Sequence, residues 1–143
     1  PDILAAHQAS SPQFSGIRKM ASFHDDKGIY RWADQPALYT DKKFLTGFEH
    51  LAKTSLTFDA WTYSTQINEV STLARAFPET PIVIDHLATP AGLFGPVGRR
   101  TGKTENERAG IFSRWKDDIA HLAECPNVHA KISGLMMPSL YMA

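Results

Sequence analysis

The sequence has a single cysteine, no excess of either charge and no long apolar run, and each of these absences argues against certain classes of protein. Its one cysteine, Cys125, cannot form an internal disulfide, which is typical of a reducing compartment such as the cytoplasm. It has no surplus of charge, because 15 Lys and Arg residues balance 15 Asp and Glu residues, and this argues against nucleic-acid binding or a polybasic membrane anchor. No apolar run approaches the roughly 18 residues that a membrane helix needs, and no signal peptide is visible. We therefore expect a cytoplasmic protein that binds neither nucleic acid nor a membrane.

What is present fits one globular domain. The chain has 143 residues, of which 43% are hydrophobic and 21% are charged, and this composition excludes disorder, collagen-like repeats and coiled coils. It begins with Pro1 rather than a methionine, so we expect a longer gene product.

Short apolar segments alternate with segments of helical periodicity along the chain. The predicted strands are residues 14–20, 55–61, 82–86 and 127–133. The predicted helices are a remnant at residues 2–8, a helix capped by Asp41, a helix capped by Ser64 or Thr65, and a helix with Phe112, Trp115, Ile119 and Leu122 on one face. Residues 21–40 and 87–106 are predicted loops.

Strands separated by helices are parallel, because each helical crossover returns the chain to the same end of the sheet. The sequence therefore predicts an α/β fold. Two architectures fit it: a small open doubly wound sheet, or part of a (β/α) barrel.

In either architecture, functional groups gather at the carboxyl ends of the strands. Ionisable and aromatic residues at or near predicted strand ends are Arg18, Asp59, Trp61, Asp85, His86 and Lys131. His86 is the strongest candidate, since an imidazole that leaves a buried strand can bind a metal or take a proton from water, although a hydrogen bond to a loop carbonyl would also explain it. Arg18 either clamps a substrate carboxylate or pairs with Asp59 or Asp85 inside the fold, and Lys131 either binds substrate or extends into solvent.

The glycine-rich segment at residues 98–104 does not support a nucleotide site. A phosphate loop has four residues between its glycines and follows its strand directly, whereas Gly98 and Gly102 are separated by three residues and lie a dozen residues beyond His86. The other histidines show no H-x-H or H-E-x-x-H spacing, so the sequence contains no local metal motif.

Five segments in the same order resemble the amidohydrolase 2 family. They are residues 16–18 (GIR), 56–61 (LTFDAW), 73–78 (LARAFP), 82–87 (IVIDHL) and 126–135, which runs from PNV to KISGL. The resemblance implies a TIM-barrel, metal-dependent hydrolase of the kind that includes lactonases. It also implies that the whole chain, residues 1–143, is one partial barrel domain that resembles strands four to seven of eight.

The same resemblance assigns roles to individual residues. It makes His86, with Asp85, the catalytic pair, and His86 is also a candidate metal ligand. It makes Arg18 a contact for a substrate carboxylate, with Trp61 and Lys131 as further substrate-binding residues. Trp61 stands where some members of the family place a metal-binding histidine, so one ligand type is missing here.

The resemblance implies a divalent metal, with zinc the expected ion, in an intact barrel. The family's H-x-H on the first strand and its aspartate on the last have no counterpart in this chain, which has 143 of the about 250 residues of a full barrel. We therefore expect a fragment that lacks most of the metal site, and the chain alone is a doubtful enzyme.

Three functions follow. The first is a hydrolase in which water attacks a carbonyl of a small carboxylate-bearing substrate. The second is a truncated, non-catalytic half-barrel that self-associates into a homo-oligomer. The third, a small open-sheet binding protein, is weakened by the missing glycine fingerprint.

Overall fold

A computed structural model describes residues 2–135 of the protein. Within these residues, four strands form one sheet: β1 (Gly16–Met20), β2 (Thr57–Trp61), β3 (Ile82–Ile84) and β4 (Val128–Ala130). All neighbours are parallel, and their order in space is their order along the chain. The predicted α/β class and parallel sheet are confirmed.

The four helices of the described residues are α1 (Asp2–Ser10), α2 (Lys42–Ala52), α3 (Ile67–Ala76) and α4 (Glu105–Leu122). Helices α2, α3 and α4 each connect two successive strands, and their apolar side chains pack in one cluster with one face of the sheet. A doubly wound sheet reverses its strand order and carries helices on both faces, whereas a barrel does neither. The fold is therefore about half of a (β/α) barrel, and the open doubly wound alternative is wrong. None of these helices, within residues 2–135, is long and apolar enough to cross a membrane.

The core lies between the sheet and these helices. On β2 the alternate residues Phe58 and Ala60 are buried, as are Ile82 and Ile84 on β3. This period of two places apolar residues on the outer, helix-covered side of the sheet. The other side is its inner face, which would line the interior of a closed barrel.

Capping explains where two helices begin. The Asp41 carboxylate accepts hydrogen bonds from the backbone N–H groups of Lys43 and Phe44, so the predicted cap is confirmed. Thr104 and Glu107 form a capping box at the start of α4. The cap predicted at Ser64 or Thr65 is wrong, because residues 64–66 form a 3₁₀ turn and α3 follows it without a side-chain cap.

The strands are shorter than predicted, and the differences bear on the site. Strand β1 begins at Gly16, and Arg18 lies at its centre rather than near its end. Strand β3 ends at Ile84, so Asp85 and His86 belong to the turn that follows it. Lys131 follows directly after β4.

A buried carboxylate joins the two long loops. Asp26, in the loop after β1, accepts hydrogen bonds from the backbone N–H groups of Arg99 and Arg100 and from the hydroxyl of Thr101. Burial by itself would raise the pKa of Asp26, but these hydrogen bonds, with one from the N–H of Gly28, hold that pKa well below its ordinary value.

Candidate active site

The pleat of the sheet brings the predicted site residues to the inner face. The register pairs Arg18 with Asp59, and Met20 with Trp61, so these side chains project from the same side of neighbouring strands. Asp85 and Lys131 continue this alternation just beyond the ends of β3 and β4.

Four charged side chains form an ion network there. Nη2 of Arg18 lies 2.7 Å from Oδ2 of Asp59, and Nε of Arg18 lies 2.9 Å from Oδ2 of Asp85. On the other side of Asp85, Nζ of Lys131 lies 3.4 Å from Oδ1. Two cations therefore balance two carboxylates across four strands, and Asp85 is the shared partner.

Burial is uneven within this network. The side chain of Asp85 is fully buried, whereas those of Arg18 and Lys131 are 40% and 45% exposed. A buried carboxylate is costly unless it is paired, so Asp85 fixes where its two cationic partners lie. The hydrogen bond with Asp59 raises the pKa of Arg18, and the charge of Asp85 adds to this increase against the opposing effect of burial.

His86 lies in a left-handed turn. His86, Leu87, Ala88 and Thr89 all have positive φ angles, between 34° and 59°. Left-handed backbone costs roughly 1–2 kcal/mol per non-glycine residue, so the surrounding structure must hold this turn in place. Two contacts do so: the N–H of Thr89 donates to the carbonyl of His86, and the indole N–H of Trp115 on α4 donates to the carbonyl of Leu87 at 2.8 Å.

The turn aims the imidazole of His86 at two neighbours. Its Nδ1 lies 3.0 Å from the hydroxyl oxygen of Ser133, which follows β4. Its ring meets that of Trp61 edge to face, with 5.2 Å between the ring centres. When Nδ1 carries the proton and donates a hydrogen bond to the hydroxyl of Ser133, the lone pair of Nε2 can accept a proton.

The described residues do not fit a metal centre. Among residues 2–135, no three His, Cys, Asp or Glu side chains lie where they could hold one ion together. The carboxylate of Asp85 is already neutralised by Arg18 and Lys131, and the one imidazole beside it has Nδ1 turned toward Ser133. Nε2 of His86 could still serve as one ligand of an ion whose other ligands lie outside residues 2–135.

All five predicted site residues therefore lie in one region: Arg18, Asp85 and Lys131 share the ion network, and His86 contacts Trp61. Their catalytic and binding roles stay predictions. Ser133 was not predicted as a site residue, although within the predicted strand 127–133 it has the same parity as Lys131, which would place both on one face. Trp32 was not predicted either, because it contacts Trp61 with tilted rings from a loop without periodicity.

Comparison with known proteins agrees with this architecture. The family model described as Amidohydrolase, of the amidohydrolase 2 type, matches residues 5–139. The chain is 32% identical over 136 residues to the uncharacterized protein y4mH of Sinorhizobium fredii, which covers 95% of this chain and 40% of that protein. It is also 32% identical over 130 residues to the L-fucono-1,5-lactonase of Burkholderia ambifaria, covering 91% of this chain and 37% of the lactonase.

Solved structures show the same fold. A Burkholderia multivorans amidohydrolase with bound HEPES matches with a TM-score of 0.67 and 22% identity, over 94% of this chain and 42% of that one. The same enzyme with bound zinc matches with a TM-score of 0.66 and 21% identity, over 94% and 41% of the two chains. The chain thus spans about 40% of the length of the curated relatives it matches. It belongs to the amidohydrolase 2 family.

Proposed function

We propose that the protein containing this chain is a hydrolase that opens a lactone, or cleaves an amide-like bond, in a small substrate carrying a carboxylate. The observation that supports this most is the placement of His86 beside the ion network of Arg18, Asp85 and Lys131, with His86 and Asp85 directly after β3 and Lys131 directly after β4. Membership of the amidohydrolase family and similarity to a lactonase support the same reaction class.

In this proposal His86 moves the proton. Nε2 takes a proton from water, and the resulting hydroxide attacks the carbonyl carbon while Ser133 holds the proton on Nδ1. The bond between that carbon and the ring oxygen then breaks, and the proton on Nε2 passes to the leaving oxygen. Ring opening gives a single hydroxy acid, with its new carboxyl group at the attacked carbon and its new hydroxyl on the former ring oxygen, and His86 returns to its starting state.

The two cations bind the substrate. Among residues 2–135, Nη1 of Arg18 has no carboxylate partner, and Nζ of Lys131 lies 3.4 Å from its only one, Asp85. Both groups are partly exposed on the inner face and keep donors for a substrate carboxylate. Asp85 positions them, and Trp61 lies against His86 as a wall of the site.

We propose that any divalent metal of an intact barrel, with zinc the expected ion, binds ligands other than the carboxylate of Asp85. The single cysteine, which is free and buried, supports the cytoplasm as the place of action.

Hydrolysis of six-membered sugar lactones that carry a free carboxylate, by the full-length natural protein, tests this proposal. We expect His86→Asn to lower kcat by roughly 100-fold or more, the scale of a lost general base. Asparagine tolerates left-handed backbone, so the turn should survive this substitution. His121→Asn, on the exposed side of α4, is the matched control and should leave kcat unchanged. Near-normal turnover by His86→Asn would contradict the assigned role.

A second candidate function is a non-catalytic half-barrel that self-associates. It is favoured by the edges of the sheet, because among residues 2–135 β1 and β4 each pair on one side only and Ile17 and Ile132 beside those edges are exposed.

A further inference from the structure

A row of aromatic rings leads from the surface to His86. Tyr30 meets Trp32 with 4.7 Å between ring centres, and Trp32 lies against Trp61 at 5.6 Å with an interplanar angle of 33°. Trp61 in turn meets His86 edge to face. We call Tyr30, Trp32 and Trp61 the aromatic wall.

The backbone beneath the aromatic wall is held in place. The N–H of Trp32 donates to the carbonyl of Ser22 at 2.9 Å, and the hydroxyl of Ser22 donates to the carbonyl of Trp61 at 3.1 Å. The hydroxyl of Tyr63 donates to the carbonyl of Tyr30 at 2.8 Å. The fold therefore holds the backbone that carries the outer rings, and the ring contacts of Trp32 with Tyr30 and Trp61 hold the rings themselves.

These fixed rings remain open to water. Trp32 is 40% exposed and Tyr30 is 45% exposed, although each ring packs against a neighbouring ring of the aromatic wall. Apolar surface gains free energy when a ligand covers it, and rings that are already ordered lose little conformational entropy on binding. A fixed aromatic surface that ends at a candidate catalytic histidine has the character of a ligand-binding wall.

The surroundings of the wall limit what it can bind. Asp59 lies two residues before Trp61 on the same face of β2, so the ion network begins one pleat away from the wall. A ligand on the wall must therefore offer an apolar ring face on one side and polar atoms toward His86 and Arg18 on the other. A cyclic ester has both: a compact ring and a reactive carbonyl within it.

We propose that Trp32, together with Tyr30, is a platform for the ring of a cyclic ester substrate and so selects ring-closed over open-chain esters. This inference rests on the proposed lactone-opening function and adds its specificity-determining residue. Trp61 forms the inner end of the platform, and Trp32 provides the exposed ring on which the substrate packs.

Binding of a six-membered lactam, which keeps the ring and the carbonyl but resists hydrolysis, tests the platform without turnover. In calorimetric titrations of the full-length natural protein, we expect Trp32→Ala to raise the Kd for the lactam roughly 10-fold, the scale of an aromatic contact. Trp32→Phe should keep most of the affinity, because a ring remains. Phe94→Ala removes another exposed aromatic ring and is the matched control, with affinity unchanged. Failure of the wild-type protein to bind the lactam, or equal binding by wild type and Trp32→Ala, would overturn the platform.

Kinetics separate this inference from the proposed function. We expect Trp32→Ala to raise KM for the lactone roughly 10-fold, leave kcat nearly unchanged, and leave KM for the methyl ester of the same acid unchanged. Equal effects on the two esters would overturn ring selection while hydrolysis itself persists. If wild type binds the lactam through Trp32 but hydrolyses neither ester, the platform stands and the proposed hydrolase does not.

Discussion

Nδ1 of His86 and the hydroxyl oxygen of Ser133 lie 3.0 Å apart, although 47 positions of sequence separate the two residues. Parallel pairing of β3 and β4 produces this contact, because it brings the segments after both strands to the same edge of the sheet. The Ser133 hydroxyl can accept a hydrogen bond from Nδ1 or donate one to it, and in the tautomer with the proton on Nδ1 the lone pair of Nε2 is available.

We expect Ser133→Ala to lower kcat for lactone hydrolysis roughly 10-fold, the lower end of the effect of removing a group that orients a histidine. KM should stay unchanged, because Ser133 acts through His86 and not on the substrate. Ser133→Thr keeps the hydroxyl and should restore most of kcat. A loss that Ser133→Thr fails to restore would contradict the positioning role.

Removing Arg18 tests the ion network. Arg18→Ala leaves the fully buried Asp85 with Lys131 as its one remaining cation, so we expect the free energy of unfolding in urea to fall by about 2 kcal/mol. This is less than the loss for a fully buried pair, because Arg18 is partly hydrated. Arg75→Ala breaks an exposed pair with Glu124 and should cost less than about 0.5 kcal/mol. Equal losses in both variants would show that Asp85 does not depend on Arg18.

Asp26 predicts how stability depends on pH. Its pKa in the folded state is lowered from the ordinary value of 3.8, so its stabilising contribution is complete above that value and is lost as the pH falls below it. Asp26→Asn should therefore lower the urea midpoint at pH 7 and weaken the further loss of stability below pH 3.8. Asp34→Asn, at an exposed position of the same loop, is the control. If Asp26→Asn loses stability below pH 3.8 as steeply as the wild type does, the acid dependence does not come from Asp26 and the prediction is wrong.

The open edges predict self-association, and we propose a homo-oligomer for the isolated chain. In sedimentation experiments the chain should form dimers or larger species whose proportion rises with concentration, because unpaired strand edges join other chains. Ile17→Lys places a charge on the β1 edge and should shift the equilibrium toward monomer. Phe112→Lys changes an exposed residue of α4 away from the edges and should not. A monomer with a cooperative, high-temperature melt would contradict this proposal.

The order of elements could be read from the sequence because burial imposes periods on it. The alternation at Phe58 and Ala60, and the helical spacing of Val70 and Ala74, each report which side meets the core. The turn at His86 could not be predicted, since non-glycine residues with positive φ are held there by a distant indole, that of Trp115. The contact between Trp32 and Trp61 was equally invisible, because it depends on a loop fixed by tertiary hydrogen bonds.

The division of β2 between two faces has a consequence for how such a protein can change over time. Phe58 and Ala60 face the helices, whereas Asp59 and Trp61 face the site. Substitutions at the first pair alter packing, and substitutions at the second alter the ion network and the aromatic wall, since none of these positions serves both sides. Changes in core packing and changes on the inner face can therefore arise separately, on alternate residues of the same five-residue strand, although the ion network carries stability of its own.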